Sequence, residues 1–132
     1  MAWGGAGRYS WGMKMLTVYT YAGCSTCKKA TGWLGAHGIA FREKAIRETP
    51  PSVAELRTML AAVGGEVRKL CNTSGRDYRE RKLGEQLAAL PVDEVLELLA
   101  ANGNLVKRPF ALGDGVALVG FKEVEWAATL GD

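Results

Sequence analysis

The sequence predicts an α/β fold in which a parallel β-α-β unit opens the domain, helices fill its middle and a β-β-α unit closes it. Three observations carry this. An apolar run, Met15 to Tyr19, precedes a helical pattern from Cys24 to His37 and an alternating run from Ile39 to Ala45, and two strands joined through a helix of this length pair in parallel. Helix start and stop signals recur between Ser52 and Gly103. Gly113-Asp114-Gly115 separates two strand-like runs, Leu105 to Ala111 and Val116 to Val119, which reads as a hairpin.

Each element has a local reason. Leu16-Thr17-Val18-Tyr19 is short and apolar, as a buried strand is. The next helix puts Ala30, Trp33 and Leu34 on one face and closes at Gly38, while Gly32 and Gly35 weaken it from within. In the second strand Ile39 and Phe41 alternate with Arg42. Thr49-Pro50-Pro51-Ser52 ends it, and Ser52-Val53-Ala54-Glu55 is a capping-box pattern opening a helix with Leu56, Met59, Leu60 and Val63 on one face, stopped by Gly64-Gly65. Arg76 to Ala89 is expected to form a short helix. Pro91 to Asn102 forms a longer one, with Asp93 and Glu94 in its first turn, a stripe of Val92, Val95, Leu96 and Leu99, and Gly103 as its end signal. A terminal helix is expected over Lys122 to Leu130.

This order is that of a thioredoxin-like fold with a helical subdomain inserted at about residues 50–103, and no internal repeat competes with it. The expected organisation is one domain over residues 15–132 after a disordered leader, residues 1–14, whose glycines, Trp3 and Trp11 show no periodicity. Met13 and Met15 are alternative translation starts. With 132 residues, 48% of them hydrophobic, the chain is large enough for a real core. Three cysteines, an odd number, argue against a secreted disulfide framework, and no stretch resembles a signal peptide or membrane span. A cytoplasmic monomer is expected. A formal charge of +3 is too mild to imply direct nucleic-acid binding, although it tolerates an anionic substrate or thiol such as glutathione.

The chemistry is concentrated in Tyr21-Ala22-Gly23-Cys24-Ser25-Thr26-Cys27-Lys28-Lys29. A helix starting at Cys24 or Ser25 offers its unpaired N–H groups and positive dipole end to a thiolate at Cys24, and Lys28 and Lys29 add charge of the same sign. Cys24 is the candidate nucleophile. Cys27, one turn on and on the same side, is placed to attack a mixed disulfide at Cys24 and release the partner. A structural zinc site would need about four ligands, and only Cys71 and His37 remain, with His37 some three turns further along. Two inert buried cysteines are disfavoured by Gly23, Ser25, Thr26 and the lysines, which make a polar, accessible surrounding.

A second element is Pro109, which inside a strand-like run marks either an edge strand or a special peptide bond. It would hold Arg108 in a fixed direction, aimed at the thiol end of the sheet or, on the bland reading, as an ordinary surface charge. The loop Cys71-Asn72-Thr73-Ser74-Gly75-Arg76 is rich in turn formers and either contacts an anion or caps a helix, with Cys71 packing as a small hydrophobe.

Taken together these motifs resemble the arsenate reductase (ArsC-type) and Spx family, a thioredoxin-like group. The matching pieces are Tyr19-Thr20-Tyr21 through Ala30, then Glu48-Thr49-Pro50-Pro51, Leu70 to Gly75, Leu105 to Phe110, and Leu118-Val119-Gly120-Phe121, in the family's order. The resemblance implies a nucleophile at Cys24, a thiolate- or oxyanion-binding arginine at Arg108 and a cis-proline at Pro109. It also implies that Gly23, Ser25, Thr26, Asn72, Thr73, Ser74 and Pro109 surround substrate or anion. Arsenate reductases of this type carry two further arginines, which align with Asn72 and Gly120. Two lost charge-assisted contacts weaken an oxyanion by roughly a hundredfold or more. Restoring arginines at both positions is expected to raise arsenate activity, provided Gly120 does not need a positive φ.

The resemblance therefore points towards the Spx-like or reductase-like branches. The leading function is a thiol–disulfide oxidoreductase or thiol-dependent reductase using Cys24, Cys27 and Arg108. It binds no cofactor and takes electrons from a small thiol or redoxin, glutathione with glutaredoxin or thioredoxin. The alternatives are arsenate reductase and a redox-regulated transcription partner that binds an RNA polymerase subunit.

Overall fold

A computed structural model describes residues 15–131; the leader expected over residues 1–14 lies outside the described residues. Strand β1 (Leu16–Thr20) leads through helix α1 (Ser25–Ala36) to β2 (Phe41–Ala45). Helices α2 (Val53–Ala62), α3 (Arg76–Glu80), α4 (Leu83–Gln86) and α5 (Val92–Ala101) follow, then β3 (Phe110–Gly113), β4 (Val116–Val119) and α6 (Glu123–Leu130). The sheet runs β2-β1-β3-β4, with β1 and β2 parallel and the other pairs antiparallel. This is the thioredoxin-like arrangement. No helix among the described residues is long and apolar enough to cross a membrane.

Strand alternation divides the core into two layers. Leu16, Val18, Ala111 and Leu118 face Ala30, Trp33 and Leu34 of α1 and Trp126 of α6. Tyr19 and Phe110 face the opposite side, where Leu56 and Met59 of α2 and Val95, Leu96 and Leu99 of α5 pack. The capping box is present, with Ser52 Oγ accepting from the Glu55 N–H and Glu55 Oε1 from the Ser52 N–H. The same oxygen accepts from Tyr19 Oη at 2.7 Å, which ties the start of α2 to the central strand.

Three expectations need correction, and one turn was not anticipated. The second strand begins at Phe41, not Ile39. Residues Val67–Leu70 form a 3-10 turn that no sequence signal marks. The helix expected over residues 76–89 divides into α3 and α4 because Lys82 adopts φ 52, a left-handed conformation that interrupts the helix. The strand expected from Leu105 begins only at Phe110, since Gly103–Leu105 is a 3-10 turn and Val106 pairs with Cys71 instead. That pairing is held by Asn72 N–H to the Leu105 carbonyl and Lys107 N–H to the Leu70 carbonyl, each 2.8 Å. Pro109 therefore precedes an internal strand rather than sitting in an edge strand, and its bond to Arg108 is cis.

Gly103 is pressed against the backbone of Ile46, so that a Cβ at this position would overlap the Ile46 carbonyl oxygen. Gly103→Ala should cost about 1–3 kcal/mol or more, because neither backbone has a flexible end to move. Gly32→Ala, inside α1 with open space around it, should instead stabilise by up to about 1 kcal/mol. Urea midpoints of the two variants are expected to move in opposite directions.

Candidate active site

Cys24 stands at the N-cap of α1 in extended conformation, and its Sγ accepts the Cys27 N–H at 3.1 Å. The amides of a first helical turn lack intrahelical partners, so a sulfur here replaces the usual capping oxygen. Cys24 is half-buried, whereas Cys27 lies 2% exposed beneath it. The accessible, polar surrounding expected from Gly23, Ser25 and Thr26 thus applies to one thiol only. Burial pushes the Cys27 thiol up to about 12; its hydrogen bond with Cys24 adds to this, and the nearby Arg108 charge opposes it.

A cleft of about 380 Å³ opens beside Cys24. Of the residues expected to surround substrate, it brings together Gly23, Cys24, Thr26, Asn72, Thr73, Ser74 and Arg108. Ser25, Cys27 and Pro109 are not among its walls: Ser25 starts α1 and faces solvent, while Cys27 and Pro109 are buried. Lys28 and Lys29 are exposed and line no part of it.

Arg108 supplies the charge next to the thiols. Its Nε donates to the Val106 carbonyl at 3.4 Å, and its Nη2 donates to the Gly103 and Asn104 carbonyls at 3.2 Å each. Its guanidinium lies 5.5 Å from the centre of the Tyr21 ring, which Arg47 approaches at 5.0 Å. Burial lowers the Arg108 guanidinium from its ordinary value, and the thiols of Cys24 and Cys27 oppose that shift. It remains a cation at any ordinary pH. The bland reading of Arg108 as a surface charge does not hold.

The loop over residues 72–75 does not cap α3 through a side chain, because Gly75 is the N-cap residue and no side-chain bond closes the helix. Asn72 instead donates from Nδ2 to the Asn104 carbonyl at 3.3 Å, which commits one of its two N–H groups. Cys71 packs as expected, 2% exposed, its thiol 3.6 Å from the Val67 carbonyl and pushed up by burial to about 11. Among the described residues no group of three or more His, Cys, Asp or Glu side chains could hold a metal ion.

Sequence reasoning missed three of the walls, Tyr21, Cys71 and Lys107. The signals for the first and last were present, an aromatic three residues before the first cysteine and a basic doublet before Pro109. It also missed the bracket behind Arg108. Asp77 accepts from Asn102 and Asn104 side chains at 3.0 and 3.3 Å, and the Asn104 carbonyl receives both Arg108 and Asn72.

The bonds from Asn102 and then Asn104 hold the Asp77 carboxyl below its ordinary range. A carboxylate lowered in the folded state contributes stability above its unfolded value of about 3.9, and that contribution is lost as pH falls through the folded value. Asp77→Ala should therefore lower the urea midpoint at pH 7, and the gap from the parent protein should close on titration below about pH 4.

Comparison with known proteins gives the same picture. Residues 19–129 match the ArsC family. The Bacillus subtilis protein YusI is 46% identical over 108 residues, covering 82% of this chain and 92% of YusI. The global transcriptional regulator Spx of Enterococcus faecalis is 34% identical, over 84% of this chain and 83% of its own. The crystal structure of an ArsC family related protein from Bacteroides fragilis superposes with a TM-score of 0.81 at 39% identity, covering 86% of this chain and 96% of that one. With a cysteine at the start of α1 and Arg108 lining the same cleft, and with this match over nearly the whole described fold, the chain belongs to the ArsC family.

Proposed function

We propose that the protein is a thiol–disulfide reductase in which Cys24 attacks and Cys27 resolves. The observation that carries this is the asymmetry of the two thiols: Cys24 is open to the cleft and bonded to a helix-start N–H, while Cys27 is buried beside it. The Cys24 thiolate attacks one sulfur of a substrate disulfide, and the other sulfur leaves as a thiolate that takes up a proton. Cys27 then attacks the Cys24 sulfur and its proton passes to the departing second substrate sulfur, which leaves as a thiol while a Cys24–Cys27 disulfide remains. Two electrons pass to the substrate. A cellular thiol or dithiol, glutathione or a redoxin, returns them to the protein.

Arsenate fits less well. Neutral Asn72 and side-chain-free Gly120 stand where the family resemblance calls for cations, and Gly120 does adopt φ +73. The condition attached to an arginine at 120 therefore fails, and a Cβ there would also meet Lys107 Cε at 2.9 Å. Restoring both arginines is not an available rescue. Similarity to Spx supports the non-enzymatic reading, in which the same disulfide switches contact with RNA polymerase. Turnover with small disulfides, set beside a polymerase pull-down under oxidised and reduced conditions, separates the two.

Two outcomes are expected. Mild oxidation should link Cys24 to Cys27 and leave Cys71 as a free thiol in peptide maps, and Cys27→Ser should trap a mixed disulfide at Cys24; a Cys24–Cys71 bridge would show that Cys71 resolves instead. Arsenate reduction with glutathione and glutaredoxin should stay well below about 1 per second, the low end of ordinary enzymatic rates.

A further inference from the structure

The cleft carries a second cation that neither the family pattern nor the thiol chemistry assigns. Lys107 lines it together with Cys24 and Arg108, and no acidic residue is among its walls. The side chain is exposed, and among the described residues it forms no ion pair, while its backbone N–H is fixed to the Leu70 carbonyl at 2.8 Å. Its path runs over Gly120: a Cβ at that position would stand 2.9 Å from Lys107 Cε and 3.7 Å from Nζ. The absence of a side chain at 120 therefore removes one charge and makes room for another. Of the other basic residues, Arg47 donates to Tyr21 Oη at 3.1 Å and stacks on its ring, Arg76 pairs with Glu80 and Arg68 bonds Tyr78, and none of the three lines the cleft.

The two cations differ in what they recognise. Arg108 has Nε and Nη2 engaged by carbonyls, so its full fork is not offered to a ligand. Lys107 ends in a flexible point charge with rotatable donors, which can reach a single carboxylate held next to the sulfur at Cys24 without needing the fixed bidentate geometry of an arginine. Resting on the reductase reading above, we propose that Lys107 is the specificity-determining residue of the cleft and selects disulfides that carry a carboxylate close to the sulfur. Gly120 is the position that admits it.

The test is single-turnover oxidation of the pre-reduced protein, which needs no added reductant because the protein dithiol gives its two electrons to the substrate disulfide. Dithiodipropionate, bis(hydroxyethyl) disulfide and cystamine supply an anionic, a neutral and a cationic probe of similar size. Formation of the Cys24–Cys27 disulfide is followed by acid quench and mass spectrometry. Each rate ratio is divided by the ratio for a free small thiol, which removes the intrinsic reactivity of the probes.

The corrected preference for the anionic over the neutral probe should be about fivefold, as an exposed charge pair contributes, and should shrink in about 1 M salt. Lys107→Gln should bring it close to one and Lys107→Arg should keep it; because a ratio is read, a general loss of reactivity cancels. Gly120→Ala, which crowds the lysine stem, should lower it as well. A corrected ratio of one in the parent protein, or an unchanged ratio in Lys107→Gln, would overturn the proposal while leaving the reductase reading standing. No oxidation by any of the three probes would bring down both.

Discussion

Arg108 is half-buried, and its hydrogen bonds go to backbone carbonyls rather than to a carboxylate. Carbonyl oxygens satisfy N–H donors without cancelling the charge, so the guanidinium keeps its positive charge where water is partly excluded. Breaking such an arrangement costs more than an exposed ion pair, because a buried cation without its acceptors has no substitute for hydration. The turn over Gly103–Leu105, the bracket from Asp77 and the pairing of Val106 with Cys71 all serve to hold those carbonyls in place.

Placed beside this charge, the two cysteines have different environments although they are three residues apart. The cap position gives Cys24 a backbone donor and an open side, and the next turn carries Cys27 into the core. One turn of helix at the edge of the core therefore gives two thiols different access to solvent, which is the division of roles the proposed reductase chemistry requires. Cys71 shares the burial of Cys27 without a neighbouring sulfur in its hydrogen bonding.

The fold was largely legible because its signals are local. The capping box at Ser52 and Glu55, the Gly113-Asp114-Gly115 turn and the apolar face of α1 each lie within a few residues of the structure they specify. What escaped was set by partners far away in sequence. Leu105 to Lys107 has the composition of a strand, but it pairs with residues 70–72 rather than continuing into β3. The Asp77 bracket joins residues 25 and 27 positions apart, a spacing without periodicity. In the site, Cys24 and Arg108 were readable from their motifs. Lys107 was visible only as part of the basic doublet before Pro109, because its path depends on the missing side chain at Gly120, thirteen residues further along the chain and across β3 and β4.

Among the described residues, strand β2 ends one side of the sheet, and its sequence Phe41-Arg42-Glu43-Lys44-Ala45 is polar in the middle. If a second copy approached antiparallel about Glu43, Arg42 would stand opposite the other copy's Lys44 and the two Glu43 carboxylates would oppose each other. Like charges directly across a ladder are unfavourable, so the register that pairs the strand fully with itself is also the one its charges resist. That charge pattern disfavours edge-to-edge pairing in this register, and it is carried by five residues that line no part of the cleft.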